Sequence, residues 1–307
     1  LHVDTSPLGK ELEKLLSWLE LIEKPDVVCL STALLAGFAD KLKQRLGAPI
    51  VTFFQGEDGF LDGLPEPYRA QCWSALADRL PASDLVLAPS RFYGDFMRGR
   101  LRLPAESVEV IFNGIQLDGY APAAPPPGPP AIGYLARMCR EKGIELLVDA
   151  FIVLARDLGD TTTRLRLAGA ATAGDETLIQ TLQHRLAAAG LAGRVDWNPN
   201  LTREQKIDFL RSLKLFSVPA TYAEAFGLYV IEAMACGVPV VQPESASFPE
   251  IIAATGGGIC VPPRDPTALA RAWQQLLRDP ERRRALGAAG RLGVEKCFSA
   301  RTMSDHF

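Results

Sequence analysis

Short apolar runs alternate with longer segments of helical periodicity along almost the whole sequence. The runs Val27 to Leu30, Pro49 to Phe54 and Leu85 to Leu87 have the length and composition of buried strands. Amphipathic helical patterns from Gly9 to Glu23 and from Leu34 to Leu46 flank the first of them. Strand-helix-strand alternation is typical of parallel βαβ units, in which helices cover the faces of a sheet. The sequence therefore predicts an α/β fold.

A proline-rich stretch interrupts this alternation. Six of the nine residues from Pro122 to Pro130 are proline, which excludes a helix or a central strand and favours an extended linker. The alternation then resumes, and a length of 307 residues also favours two domains over one. We expect an N-terminal domain over residues 1–118, a linker over 119–130 and a C-terminal domain over 131–307.

The charge and cysteine content narrow the class of protein. A net charge of -3 gives no long-range attraction to nucleic acid, so we expect no nucleic-acid partner. The six cysteines are widely spaced and form no CxxC pair, which favours buried thiols in a reducing compartment and therefore a cytoplasmic location. No apolar run has the length of a membrane span.

Two glutamates eight residues apart flank the start of a predicted helix from Gly227 to Ala235. Glu224 lies in the preceding loop, and Glu232 lies within the helix among apolar residues. The N–H groups of a first helical turn, together with the helix dipole, favour an anion such as a diphosphate. Eight helical residues span about 12 Å, which suits a sugar at one end of a diphosphate and a ribose at the other. Because a carboxylate among apolar side chains is costly without a partner, we interpret Glu232 as a ligand-binding residue.

A second polar segment follows the first strand of the predicted C-terminal domain. In the stretch from Tyr134 to Gly143, Arg137 and Lys142 stand five residues apart between a strand and a helix. Two cations at a strand end can hold an anionic ligand. Either one alone would be an ordinary surface charge, but their position ahead of the glutamate pair favours a functional role.

These two segments resemble the donor-site motifs of glycosyltransferase family 4. The stretch from Pro219 to Val241 resembles the family's paired-glutamate signature, and Tyr134 to Gly143 resembles the motif that opens its donor domain. The resemblance implies two facing Rossmann-like domains, called the GT-B fold. It also implies a retaining, metal-independent glycosyltransferase of the hexosyltransferase type. The donor would be a UDP- or GDP-sugar, a substrate rather than a cofactor, and no other cofactor is expected.

The resemblance also assigns roles on the donor side. Glu224 would orient the donor sugar, and Arg137 and Lys142 would hold the diphosphate as the other catalytic residues. The further donor-binding residues would be Glu232, Phe226, Gly227, Leu228 and Ala136. Ala136 stands where the family usually has glycine. The absence of an Asp-x-Asp motif from the sequence agrees with the expected metal independence.

Fewer of the residues that would contact the acceptor match the family's motifs. Gln55 stands where many family members have a histidine, and it can hydrogen-bond a sugar hydroxyl but cannot transfer a proton. Gly56, Glu57 and Asp58 either contact the acceptor or form a plain polar loop, and Asn113 resembles a residue of the family's Asn-Gly segment. The family's opening strand and Gly-rich loop have no counterpart, so we expect an N-terminal domain without its opening strands.

The acceptor and the competing functions stay open at this point. A glycan, a lipid or a small molecule all suit the resemblance, and a peripheral contact with the inner face of the membrane is left open. One alternative is a nucleotide-sugar-binding GT-B protein without transfer activity. A second is a glycoside hydrolase that uses Glu224 and Glu232, although hydrolysis needs no diphosphate clamp. A third is a Rossmann oxidoreductase, which is disfavoured because no G-x-G-x-x-G follows a strand.

Overall fold

The chain forms two compact units, one ending at Phe112 and the other beginning at Asn113. A computed structural model describes residues 8–123 and 127–307. The expected linker over 119–130 belongs to the second unit, and its residues 124–126 lie outside the described residues. The domain limits inferred from the sequence stay a prediction.

The N-terminal unit contains a parallel sheet of four strands in the order β1-β2-β3-β4. The strands are β1 (Val28–Leu30), β2 (Ile50–Phe53), β3 (Leu85–Ala88) and β4 (Glu109–Val110). The helices are α1 (Leu8–Trp18), α2 (Ala39–Leu46), α3 (Glu57–Asp62), α4 (Tyr68–Arg79) and α5 (Arg91–Leu101). A buried cluster that includes Leu12, Leu16 and Leu42 packs the first two helices against the sheet.

Two helices of this unit begin directly after a strand-end loop. Ser90 caps α5, because its hydroxyl accepts a hydrogen bond from the N–H of Tyr93 at 3.0 Å. The alternative of a plain polar loop over residues 56–58 is wrong, since α3 begins at Glu57. Gly56 has a left-handed φ of 99°, and this sharp turn lets the helix start directly after the strand-end loop.

The C-terminal unit contains a parallel sheet of six strands in the order β10-β9-β8-β5-β6-β7. The strands are β5 (Ala131–Leu135), β6 (Arg164–Gly169), β7 (Val195–Pro199), β8 (Leu215–Phe216), β9 (Val240–Pro243) and β10 (Gly258–Val261). The helices are α6 (Ile144–Arg156), α7 (Glu176–Ala188), α8 (Arg203–Arg211), α9 (Leu228–Ala235), α10 (Phe248–Thr255), α11 (Pro266–Arg278), α12 (Pro280–Cys297) and α13 (Ala300–His306). No helix in the described residues is both long enough and apolar enough to cross a membrane.

The strand order of this unit reverses next to its first strand. The strand β5 lies between β6 and β8, so the chain builds the sheet outward in one direction and then in the other. In doubly wound sheets, ligands bind beyond the carboxyl ends of the strands at this reversal. The topology therefore marks the loops that follow β5 and β8 as the place for a binding site.

Two glycines let the strand-end loops approach one another closely. Gly143 has a φ of 72°, and a Cβ there would lie 1.9 Å from the carbonyl oxygen of Pro219. Gly169 has a φ of 132°, and a Cβ there would lie 1.9 Å from the carbonyl oxygen of Ala136. Both the backbone conformation and the close contacts therefore require glycine at these positions.

A second short helix was also missed by the sequence analysis. The stretch from Phe248 to Ile252 was expected as a loop, but it forms the start of α10. Pro249 is compatible with a helix because it lies in the first turn, where its missing N–H costs no intrahelical hydrogen bond. Burial of Phe248 and Ile251 then fixes the helix against the sheet.

The contact of Gly143 with Pro219 predicts a large stability difference between two glycine-to-alanine variants. Gly159 has a nearly identical φ of 71°, but a Cβ there would have no atom within 4 Å, so Gly159→Ala should cost only the left-handed backbone penalty of about 1–2 kcal/mol. We expect Gly143→Ala to cost about 1–3 kcal/mol more, because the Pro219 loop must move. Thermal unfolding followed by circular dichroism measures both, and equal midpoints would contradict this account.

Candidate active site

Lys142 and Glu224 form an ion pair where the loops after β5 and β8 meet. Lys142 Nζ lies 2.6 Å from Glu224 Oε2, and Glu224 is only 7% exposed. Lys142 also donates to the hydroxyl of Tyr222 at 2.5 Å, and Tyr229 donates its hydroxyl to Glu224 Oε2 at 2.5 Å. The structure thus brings together two of the three residues assigned to catalysis, and surrounds them with tyrosine hydroxyls.

The tyrosine rings also contact the lysine charge. Lys142 Nζ lies 4.9 Å from the centre of the Tyr222 ring and 5.2 Å from that of Tyr229, distances at which a ring attracts a cation. Burial, and next the negative charge of Glu224, raise the pKa of Tyr229 well above its usual value. Its hydroxyl therefore stays protonated at neutral pH and serves as a hydrogen-bond donor.

Hydrogen bonds to main-chain carbonyl oxygens hold the two loops in this arrangement. The hydroxyl of Tyr134 donates to the carbonyl oxygen of Arg137 at 2.8 Å, and Met138 N–H donates to the carbonyl oxygen of Ala170 at 2.9 Å. Across the loops, Thr221 N–H donates to the carbonyl oxygen of Glu141 at 2.9 Å. The positions of the charged side chains are consequently set by main-chain contacts rather than by long side chains alone.

Arg137 lies beside the ion pair in sequence but remains accessible. Its side chain is 59% exposed, and its nearest carboxylate is that of Glu141 at 3.9 Å. Its Nε donates to Cys139 Sγ at 3.3 Å, which orients the guanidinium. Ala136 precedes it, with its N–H donating to the carbonyl oxygen of Ala168 at 3.2 Å. The guanidinium can therefore contact a ligand without first breaking a buried ion pair.

Glu232 has its own pair of partners. Lys206 Nζ lies 2.5 Å from Glu232 Oε1, and the hydroxyl of Tyr120 donates to the same oxygen at 2.9 Å. Burial lowers the pKa of Lys206, but the hydrogen bonds to Glu232 and Tyr120 together outweigh it, so that the pKa is raised overall. The costly carboxylate anticipated from the sequence is real, and Lys206 compensates for it.

Sequence reasoning missed both Lys206 and Tyr120. The only available signal was the start of α8, where Thr202 accepts from Gln205 N–H at 3.3 Å and Gln205 accepts from Thr202 N–H at 2.9 Å. This capping box confirms the predicted cap and fixes where the helix begins. It does not reveal which side chain of another element the lysine contacts.

A cavity of about 370 Å³ lies next to Lys206. It opens at the carboxyl ends of β5, β6 and β7, and Leu135, Gly169, Ala170, Asn200 and Leu201 complete its lining. Asn200 has a left-handed φ of 56°, and its side-chain oxygen accepts from the N–H of Ala171 at 3.2 Å. The stretch from Val195 to Leu201, expected to recognise a base, therefore ends at a cavity.

The helix start assigned to diphosphate binding is built around Gly227. This residue has a φ of 92° and precedes α9, whose first residue is the half-exposed Leu228. Phe226 is buried, and its carbonyl oxygen accepts from the hydroxyl of Ser247 at 2.7 Å. Because α9 begins at Leu228, Glu224 lies in the preceding loop, as predicted, and Glu232 lies within the helix. Only part of the segment between the two glutamates is therefore helical.

The residues assigned to the acceptor side lie in the N-terminal unit, apart from Asn113. The carboxylate of Glu57 is buried and accepts from the N–H groups of Gln55 at 2.9 Å, Gly56 at 3.1 Å and Ala33 at 3.0 Å. Asp58 accepts from the hydroxyl of Tyr93 at 2.7 Å, and burial raises its pKa. Both carboxylates thus serve the internal packing of this unit, whereas the Gln55 side chain is exposed.

Asn113 begins the C-terminal unit. The next residue, Gly114, packs so closely on the chain that a Cβ would lie 2.4 Å from the carbonyl oxygen of Ser299. Ile115 N–H then donates to the carbonyl oxygen of Phe298 at 2.9 Å. The ring of Phe298 lies 5.7 Å from that of Phe226. The Asn-Gly segment therefore supports the donor-side loop through the C-terminal segment.

Several curated glycosyltransferases are similar in sequence to this chain. A curated relative, D-inositol 3-phosphate glycosyltransferase of Xylanimonas cellulosilytica, is 28% identical over 225 residues, which are 68% of this chain and 52% of the relative. The chain thus spans about half the length of that relative.

Solved structures show the same fold. Sucrose-phosphate synthase from Thermosynechococcus elongatus is 23% identical, with a TM-score of 0.82 over 99% of this chain and 80% of that one. Anabaena HepE in complex with UDP and glucose is 19% identical, with a TM-score of 0.79 over 98% and 81%. These likenesses confirm the predicted GT-B fold of two parallel-sheet α/β domains.

Two family descriptions match the sequence. Glycosyltransferase Family 4 matches residues 6–118, and Glycosyl transferases group 1 matches residues 121–293, just over half of the chain. The matched ranges include the ion pair, the exposed arginine and the helix start described above. The chain therefore belongs to the glycosyl transferases group 1 family.

Proposed function

We propose that the protein is a retaining, metal-independent glycosyltransferase that moves a hexose from a UDP- or GDP-sugar to an acceptor. The observation that carries this proposal is the position of Arg137, Lys142 and Glu224 at the strand reversal of the C-terminal unit. Doubly wound sheets bind phosphorylated ligands at this position. Here it combines two cations with a carboxylate, the groups that a sugar diphosphate requires.

The donor is placed along this edge of the sheet. Its diphosphate lies at Arg137, Lys142 and the first-turn N–H groups of α9, and its sugar hydroxyls donate to Glu224. The ribose lies towards Glu232, and the base occupies the cavity beside Asn200. The parts of the donor thus follow the order of their proposed partner residues along this edge of the sheet. It also assigns Ala136, Phe226 and Gly227 to backbone contacts with the donor.

Transfer then depends on stabilising the leaving group. As the bond between the anomeric carbon and the diphosphate oxygen breaks, negative charge grows on the diphosphate beside Arg137 and Lys142. The acceptor oxygen bonds to the anomeric carbon from the same face, and its proton passes to a diphosphate oxygen. Positioning and charge stabilisation supply the catalysis, so that neither a dedicated base nor a metal ion is needed.

The hydrolase alternative is not supported by the arrangement of the glutamates. Glu224 is paired with Lys142 and Glu232 with Lys206, so each carboxylate has a separate cationic partner. A glycosidase acid requires a carboxyl group with a raised pKa, which an adjacent lysine opposes.

The acceptor, the partners and the location are also part of this proposal. We propose a glycan, lipid or small-molecule acceptor; one curated relative is a D-inositol 3-phosphate glycosyltransferase. We also propose a cytoplasmic location with contact at the inner membrane face. All six cysteines are free thiols, which is compatible with that compartment.

Nucleotide binding provides the first test. We expect calorimetric titration with UDP, GDP and ADP to show binding of one nucleotide, weakened about tenfold or more by Arg137→Ala because a charge-assisted contact is lost. Arg140→Ala is the matched control, since Arg140 is 71% exposed and lies 3.4 Å from Glu145. Surface pairs of this kind contribute little, so the control should leave affinity nearly unchanged. Equal losses in both variants, or no binding to any nucleotide, would contradict the proposed donor site.

Glu224→Gln separates sugar positioning from nucleotide binding. Because Lys142 is paired with Glu224, removing the carboxylate charge should leave the lysine more available and tighten nucleoside diphosphate binding, by up to about tenfold. Nucleotide release from UDP-glucose or GDP-mannose, with water as acceptor, should fall about tenfold or more, since the sugar hydroxyls lose a charged acceptor. Calorimetry and a nucleotide-release assay measure the two effects. Weaker nucleotide binding with unchanged release would refute the assigned role, whereas nucleotide binding without any release by the native chain would indicate a binding protein.

A further inference from the structure

A second cavity lies at the opposite end of strand β8 from the donor-side loops. It has a volume of about 720 Å³, in the range of small-molecule sites. Lys214, immediately before β8, and Pro239, immediately before β9, line it. Its walls also include apolar residues such as Leu213, Val238 and Leu292. Both this cavity and the donor-side cluster lie within the C-terminal unit.

The lining of this cavity carries charge of only one sign. Five cationic side chains line it, and no aspartate or glutamate is among the described residues of its lining. The cations are Arg211, Lys214, Arg283, Arg284 and Arg291. A concave surface with one sign of charge and apolar walls focuses its field and raises the local concentration of counter-ions.

Two of these cations are already engaged with other groups. Arg291 lies 2.6 Å from Glu295 and donates to the carbonyl oxygens of Tyr120 and Ala235. Arg211 donates to the carbonyl oxygen of Ala121 at 3.0 Å. Its nearest carboxylate, that of Asp208, is 3.9 Å away.

The other three cations have no carboxylate within ion-pair distance in the described part of the chain. Among the described residues, the Arg283 side chain donates only to the carbonyl oxygens of Leu276 and Leu277. The side chains of Lys214 and Arg284 have no hydrogen bond or ion pair with any described residue. Burial, and next the charge of Arg283, lower the pKa of Lys214, and burial followed by the charge of Arg284 lowers that of Arg283, with Asp279 opposing part of the second shift. The three cations thus repel one another, and no carboxylate of the described residues forms an ion pair with them.

We propose that this cavity binds a phosphate-bearing organic anion, at a site separate from the donor site. The charges of Lys214, Arg283 and Arg284, which have no ion-pair partner among the described residues, recognise the phosphate, because lysine and arginine bind phosphate oxygens through charge-assisted hydrogen bonds. The apolar walls at Leu213 and Val238 accommodate the non-ionic part of the ligand. A soluble phosphorylated metabolite and a phospholipid headgroup share this chemistry, and the volume admits either.

The test uses the whole chain with its donor side weakened by Arg137→Ala. In that background, we compare calorimetric binding of inorganic pyrophosphate before and after Lys214→Met and Arg284→Gln are added together. Both replacements keep much of the side-chain stem and therefore the packing. Arg282→Gln serves as the control, because Arg282 is an exposed arginine on the same helix outside the cavity lining. Flotation with phosphatidylglycerol vesicles, against phosphatidylcholine vesicles, tests the lipid source.

We expect pyrophosphate binding that weakens about tenfold or more in the double variant and stays unchanged in the control. A second supporting outcome is that the parent chain binds phosphatidylglycerol vesicles but not pyrophosphate. If the double variant then loses vesicle binding, the same site is supported with a lipid headgroup as its ligand. Absence of binding in both arms, or equal weakening by Arg282→Gln, would overturn the proposal. Thermal unfolding of each variant confirms that it folds. Because Lys214 and Arg284 lie outside the donor-side cluster, failure here is distinguishable from failure of the proposed transfer activity.

Discussion

The loops after β5 and β8 lie against each other because Gly143 has no side chain. A Cβ at this position would lie 1.9 Å from the carbonyl oxygen of Pro219, and a Cβ at Gly169 would lie 1.9 Å from the carbonyl oxygen of Ala136. A hydrogen bond from the main-chain N–H of Thr221 to the carbonyl oxygen of Glu141 also joins the two loops. The distance from Lys142 to its glutamate partner follows from this backbone contact. A site built on main-chain packing in this way is held more rigidly than one that relies on flexible side chains.

The two ends of strand β8 differ in their charge balance. At the carboxyl end, Lys142 is neutralised by Glu224, and further along the same edge Lys206 is neutralised by Glu232. At the amino end, the cavity next to Lys214 holds positive charge alone. A site with a paired cation and carboxylate favours ligands that carry an anionic group for the cation and hydrogen-bond donors for the carboxylate. Cations without a carboxylate partner attract anions more generally.

The runs that predicted β1, β2 and β3 are short and apolar, and each of them forms a strand. The helices that begin at Glu57 and Phe248 were not predicted, since six to eight residues give too little periodicity to detect. The motif spacing predicted donor-side roles for Arg137, Lys142 and Glu224, and these roles stay a prediction. It could not indicate that Glu232 contacts Lys206 and Tyr120, which lie 26 and 112 residues away and meet it only through tertiary packing.

The ion pair between Lys142 and Glu224 also bears on how a product would leave. In the proposed reaction, the donor sugar departs with the acceptor, and the carboxylate of Glu224 loses the hydroxyl groups that had satisfied it. The buried carboxylate then keeps the hydroxyl of Tyr229 as a donor but has no cation, which is costly, so the lysine is drawn back towards it and away from the spent diphosphate. The same contact that orders the site would therefore hasten the release of the nucleotide and favour turnover over product inhibition.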